Sequence, residues 1–283
     1  MFKPQDYFGI LIIFMILFVS CIQKQDHVAV SLNGVPIHFD MKGTGEPALV
    51  FVHGWSRNRM DWANQINYFS ENHSVVSIDL AGHGESGEER DDWSIPAFSQ
   101  DVIAVIEKLN LKQIVLIGHS LGAPVVLETA RRLPDRIVGI VPVDAFHNIE
   151  EKFTQDQIDE ILAPYRSDFV GTYARGARMI LKDSTQIQKS IEQISSFSPD
   201  IGIASLESCY HYKSNDLIPA LKEVKAPIRC INSDAIPTNV EAARRYASSF
   251  DVIIMEGVGH EMQSGDPDQF NQLIEGILSE FER

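Results

Sequence analysis

The sequence predicts an α/β protein built on a mostly parallel, doubly wound sheet. Two observations carry this prediction. Short apolar runs rich in β-branched residues alternate with stretches of helical length, from about residue 48 to 144 and again from 228 to 281. The residues best suited to chemistry stand directly after those runs, where the loops of such a sheet converge. Between 146 and 225 the alternation stops, and apolar residues recur only at helical spacing. That stretch reads as a helical insertion at the C-terminal edge of the sheet.

The elements follow in order. Residues 27–40 read as two strands joined at Asn33-Gly34, a hairpin signal. Residues 48–52 form a buried strand that ends at His53-Gly54-Trp55, with a helix over about 62–69. The next strand, 74–78, runs into Asp79-Leu80-Ala81-Gly82-His83-Gly84-Glu85-Ser86. Residues 95–109 place Phe98, Val102, Val105, Ile106 and Leu109 on one helical face. A strand at 113–117 precedes Gly118-His119-Ser120-Leu121-Gly122, and a helix over 123–132 follows it. The strand at 137–143 closes on Asp144. The insertion carries Ile158, Ile161, Leu162, Met179, Ile180, Leu181, Ile187, Ile191 and Ile194. After it come strands at 228–231 and 252–255, a helix over 240–250, and a closing helix over 267–281 with Asp266 as its N-cap.

The chain of 283 residues is 44% hydrophobic and carries a formal charge of −15. It is long enough for one domain with a full core. The acidic balance, with no basic run to offset it, argues against a nucleic-acid partner. Residues 7–20 are apolar but shorter than the roughly 20 residues that span a bilayer. They suit a signal peptide over 1–20, leaving a domain of 21–283 with a helical cap at about 146–225. Ser20-Cys21 resembles the processing box of bacterial lipoproteins, in which Cys21 becomes the lipidated first residue; Phe18 departs from that box. The expectation is an exported protein anchored to the membrane by a lipid on Cys21, with periplasmic or secreted forms as the alternatives. Cys209 and Cys230 then remain as free thiols.

A serine between a strand and a helix, flanked by Gly118 and Gly122, is the pattern of a nucleophile elbow. The turn is too tight for side chains at the flanking positions. It exposes the serine Oγ and sets the N–H of Leu121 at the start of a helix. With this elbow, His53-Gly54-Trp55, the Asp79–Ser86 run and Gly257-Val258-Gly259-His260 standing in one order, the chain resembles the α/β-hydrolase superfamily in its capped, single-domain form. The resemblance covers nearly everything after about residue 27. It implies an eight-stranded, mostly parallel sheet flanked by helices. It also implies Ser120 as nucleophile, His260 as base, and an oxyanion hole from the backbone N–H groups of Trp55 and Leu121. In the family the acid follows the strand after the cap, which here is Asp234. Asp144, which also ends a strand, is the rival.

A serine hydroxyl needs a base within reach and a carboxylate behind that base. The expected activity is hydrolysis of carboxylic esters or related acyl compounds through an acyl-enzyme. A serine in this place disfavours the dehalogenase and epoxide-hydrolase chemistry that the family performs with an aspartate. C–C bond, lactone and amide hydrolysis and perhydrolysis stay open, as does a ligand-binding module without turnover. His83, between two glycines, reads as a loop histidine, His119 as packed near the elbow and Asp79 as a structural carboxylate, while the resemblance implies that His53 helps shape the oxyanion loop. No cluster has zinc spacing and Gly82-His83-Gly84 is too short for a dinucleotide fingerprint, so no metal or cofactor is expected. The expected partner is a small acyl substrate.

Overall fold

The computed structural model describes residues 27–281. The signal-peptide reading and Cys21 lie outside the described residues. Strands β1 (Val28–Val30) and β2 (Pro36–Lys42) form an antiparallel hairpin across a single turn at Leu32–Gly34. Gly34 sits there at φ 83°, in the left-handed region that a side chain disfavours.

The remaining strands are β3 (Ala48–Val52), β4 (Val75–Ile78), β5 (Ile114–His119), β6 (Ile137–Val143), β7 (Ile228–Ser233) and β8 (Phe250–Met255). They join the hairpin in one eight-stranded sheet of order β1-β2-β4-β3-β5-β6-β7-β8. β2 pairs antiparallel with β4, and every pairing from β4 to β8 is parallel. Burial on both faces explains the unbroken apolar runs. Along β3, Ala48, Val50 and Val52 enter one core cluster while Leu49 and Phe51 enter the other. Successive side chains thus alternate between faces, as strand geometry requires.

Helices α1 (Ala63–Phe69), α2 (Ile95–Lys108) and α3 (Gly122–Arg132) follow β3, β4 and β5. α2 and α3 bring Phe98, Val102, Val125 and Val126 to the first core. Trp62, Phe69 and the helix α11 (Pro267–Phe281) cover the opposite face with Phe270, Ile274 and Ile277. Between β6 and β7 run α4 (Gln155–Ser167), α5 (Phe169–Ile180), α6 (Ser184–Ser195), α7 (Pro199–Asn215) and α8 (Leu217–Glu223). Thr154 and Gln157 form a capping box at the start of α4. α8 differs from the other four. Its Leu217, Ala220 and Leu221 join the core beneath the sheet, so it flanks the sheet instead of rising from it.

The short helix α9 (Val240–Arg244) stops well before residue 250, because the chain turns at Ala247 and β8 begins at Phe250 to pair with Ile228. A single turn, α10 (Met262–Gly265), precedes α11. The parallel registers align the ends of the central strands: Val52 opposes Gly118, His119 opposes Val143, and Val143 opposes Ile231. The residues just past these ends therefore meet at one edge of the sheet. Among the described residues, no helix is long and apolar enough to cross a membrane.

Candidate active site

Ser120 closes the tip of β5 at φ 51°, a left-handed conformation uncommon for a residue with a side chain. Its N–H donates to the Val143 carbonyl at 2.9 Å, and its own carbonyl accepts from the Ala123 N–H at 3.0 Å. Strand β6 and helix α3 thus hold the strained turn from both sides. Both flanking glycines are forced by close approach. A Cβ at Gly118 would lie 2.3 Å from the Gly122 oxygen, and one at Gly122 would lie 2.5 Å from the Val52 oxygen.

His260 lies in the loop between β8 and α10. Its Nδ1–H donates to Asp144 Oδ2 at 2.5 Å. The histidine's carboxylate partner is therefore Asp144, and the expectation of Asp234 is corrected. Asp234 stands on the turn after β7, with its side chain 42% exposed, 3.4 Å from the Lys182 ammonium. A hydrogen bond from the backbone of Gly257, helped by Lys182, holds its carboxyl below the usual range. It ties two surface loops together and does not reach His260.

Asp144 takes φ 45° at the end of β6, and its N–H donates to the Ile231 carbonyl at 2.8 Å. Oδ1 accepts from the Ser233 N–H at 2.8 Å, and the His147 ring stands 3.7 Å from the same oxygen. Burial alone would push this carboxyl up. The hydrogen bond and charge of His260, with the Ser233 N–H, outweigh that effect and hold it at about 2. The group behind the histidine is thus an anion at any pH near neutral.

The loop of His260 is clamped from two directions. Its N–H donates to the Ile180 carbonyl at the end of α5, at 3.0 Å, and its own carbonyl accepts from His119 Nε2 at 2.9 Å. The two imidazoles face each other at 4.6 Å. Burial, then the neighbouring His260, pushes the His119 ring well below the usual histidine range, so it serves as a neutral donor. His53 and His83 are equally structural. His53 Nδ1–H donates to Gly54 O and its Nε2 accepts the Leu80 N–H, pinning the end of β3 to the end of β4. The buried His83 ring packs against His53 and Phe197. Asp79 accepts the backbone N–H groups of Arg59 and Glu85.

Ser120, His260, Asp144, Trp55 and Leu121 all line one cavity of about 600 Å³. That is the size of a small-molecule site. Leu121 stands at the N-terminus of α3, where backbone N–H groups gather. Helices α4, α5 and α7 complete the wall with Tyr165, Tyr173, Ala177, Ile180, Tyr210 and Tyr212. Met179, one residue before Ile180, is 85% exposed and faces away. The sequence reading did not single out Arg57 or Glu261, which also line this cavity and pair with each other at 2.9 Å. The local signals were an Arg–Asp pair at helical spacing, Arg57 and Asp61, and a carboxylate next to His260.

Residues 47–179 match the family model described as the alpha/beta hydrolase fold. A thermophilic esterase from Thermogutta terrifontis superposes with a TM-score of 0.77 over 90% of this chain and 98% of that one, at 22% identity. The chain has the α/β-hydrolase fold. Within that fold its sequence relatives are diverse. It is 22% identical over 241 residues to the Karrikin insensitive 2 receptor CA of Petunia hybrida, covering 80% of this chain and 89% of the receptor. It is 35% identical over 105 residues to the (E)-2-((N-methylformamido)methylene)succinate hydrolase of Acinetobacter baylyi, covering 37% of this chain and 40% of that enzyme. The α/β-hydrolase fold therefore sets the frame, and the side chains around Ser120 must supply the function.

Proposed function

We propose that the protein is a serine hydrolase of carboxylic esters or related acyl compounds. Ser120 attacks the carbonyl, His260 takes its proton, and Asp144 fixes the imidazole and stabilises its charged form. One observation carries this reading: the 2.5 Å contact between His260 Nδ1 and a buried Asp144, at the wall of the cavity that Ser120 enters from its elbow. Because Nδ1 is committed to Asp144, Nε2 is the nitrogen left for the serine proton. The backbone N–H groups of Trp55 and Leu121 are the proposed oxyanion donors. Water then releases the acyl group from the serine. In this reading α4 to α7 act as a cap that excludes bulk water from the cavity. The esterase likeness supports the reading at the level of the fold.

A fluorophosphonate probe tests it directly. Stoichiometric labelling of Ser120, abolished in Ser120→Ala and His260→Ala, is the expected result, together with turnover of p-nitrophenyl esters. The likeness to a plant receptor favours one second reading, a binding protein that has lost turnover. Folded protein that neither labels nor turns over esters would replace the first reading by the second.

We also propose that the chain is exported and carries a lipid on Cys21, on the strength of the apolar stretch before Ser20-Cys21. Mass spectrometry of the mature N-terminus checks this. Cleavage elsewhere, or an unmodified Cys21, would refute it.

A further inference from the structure

The backbone next to Asp144 is held by a side chain. The ladder between β6 and β7 runs out where the Asp144 N–H meets the Ile231 carbonyl. Past that point the two chains are joined through side chains. The Ser233 N–H goes to the Asp144 carboxylate, and Asn232 grips the following residue, Ala145. Asn232 Oδ1 accepts the Ala145 N–H at 3.1 Å, and Nδ2 donates to the Ala145 carbonyl at 3.0 Å. The amide thus pairs with Ala145 as a neighbouring strand would. Asn232 is fully buried, so water does not compete for either bond. Ala145 stands between Asp144 at φ 45° and Phe146 at φ 57°. Such left-handed residues persist only where their surroundings fix them, and the two-point grip on Ala145 lies midway between the pair.

The same amide also reaches Asp144 across the loop. Asn232 Nδ2 donates its other hydrogen to Thr238 Oγ1 at 2.8 Å. That oxygen lies 3.1 Å from His147 Nδ1, and Asn232 Nδ2 lies 3.4 Å from the same nitrogen. With Asn232 donating to it, the Thr238 hydroxyl has its own proton free for His147. Two donors therefore face Nδ1, which leaves the ring proton on Nε2. Nε2 is the nitrogen that stands 3.7 Å from Asp144 Oδ1. An N–H dipole beside a carboxylate favours its charged form.

We infer that Asn232 is a positioning residue, which acts through Ala145 on one side and through Thr238 and His147 on the other to hold the Asp144 carboxylate against His260. This role rests on the hydrolase reading above and deepens it at the same site.

A double-mutant cycle on the intact protein tests the role, with p-nitrophenyl acetate as substrate and circular dichroism to verify folding. Asn232→Ala should lower kcat by about 10- to 100-fold with KM little changed, as a misplacement of about 1 Å at a catalytic group can. In the Asp144→Asn background the same substitution should change the remaining kcat by less than about 2-fold, because the charge it positions is already gone. A residue that only stabilised the fold would act alike in both backgrounds. Thr238→Val removes the outer tether of the amide and stands in if Asn232→Ala does not fold. It should lower kcat by about 2- to 10-fold, the worth of one neutral hydrogen bond, and be silent beside Asp144→Asn. An unchanged kcat in the folded variant, a rise in KM alone, or an equal loss in both backgrounds would overturn the inference and leave the hydrolase reading standing. A wild type that neither turns over the ester nor labels with a fluorophosphonate would overturn both.

Discussion

Asp144 accepts from His260 with one oxygen and from the Ser233 N–H with the other, so its carboxylate leans across the end of β7 toward the histidine loop. This explains why the histidine's carboxylate partner was hard to read from sequence. β6 and β7 both end in an aspartate-bearing turn, and β7 is the strand next to β8, from which the His260 loop departs. Strand order alone therefore favours Asp234, while the carboxylate that reaches the histidine comes from one strand further away. Ser120 and His260 each sit in a local pattern of glycines that the sequence displays, whereas the place of the carboxylate beside His260 depends on how a loop folds back. The consequence is a reversal of the expected pair of phenotypes. Asp144→Asn keeps the shape but removes the charge and favours the wrong tautomer, so kcat should fall on the order of 10⁴-fold, as in a related triad. Asp234→Asn should keep kcat within about 2-fold, since surface ion pairs contribute little. Steady-state kinetics on one activated ester, with circular dichroism to verify folding, measures both. A collapse in Asp234→Asn beside a well-folded, active Asp144→Asn would restore the original assignment.

At the scale of elements, the insertion helices and the histidine loop form one unit. The Ile180 carbonyl at the C-terminal end of α5 receives the His260 N–H, and a Cβ added at Gly259 would stand 2.8 Å from that same carbonyl. The helical character of this region was readable from spacing, but its facing was not. Met179 and Ile180 are adjacent and both apolar, yet Met179 faces solvent and Ile180 lines the cavity. Helical periodicity separates such neighbours by about 100° and leaves open which of them faces inward. Ile180→Ala should therefore shift the preference among alkyl p-nitrophenyl esters toward longer chains, with each added methylene worth about 4-fold in kcat/KM where it is buried. Met179→Ala should leave the chain-length profile unchanged. A profile that moves with Met179 and not with Ile180 would mean that α5 is rotated relative to this arrangement. Gly259→Ala probes the clamp itself. It should lower kcat on a small activated ester, which makes few contacts with the insertion helices, because the new methyl displaces the loop that carries His260.

Across the whole molecule, three buried histidines and the half-buried His147 compete with a net charge of −15 to set the response of stability to pH. His53, His83, His119 and His147 are all held below the usual histidine value of 6.5, with burial as the leading cause in each. The sign follows from which state binds more protons. Above 6.5 neither the folded nor the unfolded chain protonates these rings, and their contribution to stability is full. As pH falls below 6.5 the unfolded chain takes up protons that the folded chain refuses, so stability drops toward the lowered folded values. Each ring adds a slope of up to about 1.4 kcal/mol per pH unit. The acidic surface acts in the opposite direction, because protonating carboxylates relieves self-repulsion as the pH falls. That repulsion is spread over exposed groups and is screened within about 8 Å at physiological salt, whereas the buried rings are not. The histidines should therefore win. Asp144 extends the same trend to lower pH, since a carboxyl lowered from 3.8 to about 2 stabilises the fold above 3.8 and loses that contribution as pH falls through its folded value. The midpoint of thermal unfolding in 0.15 M salt should be nearly flat above about pH 7 and fall steadily from pH 6.5 downward. His83→Phe removes one of the four protons from a ring already packed among aromatics, and should make that fall shallower. A melting temperature that rises between pH 7 and pH 5 would show that surface repulsion, not the buried imidazoles, governs the molecule.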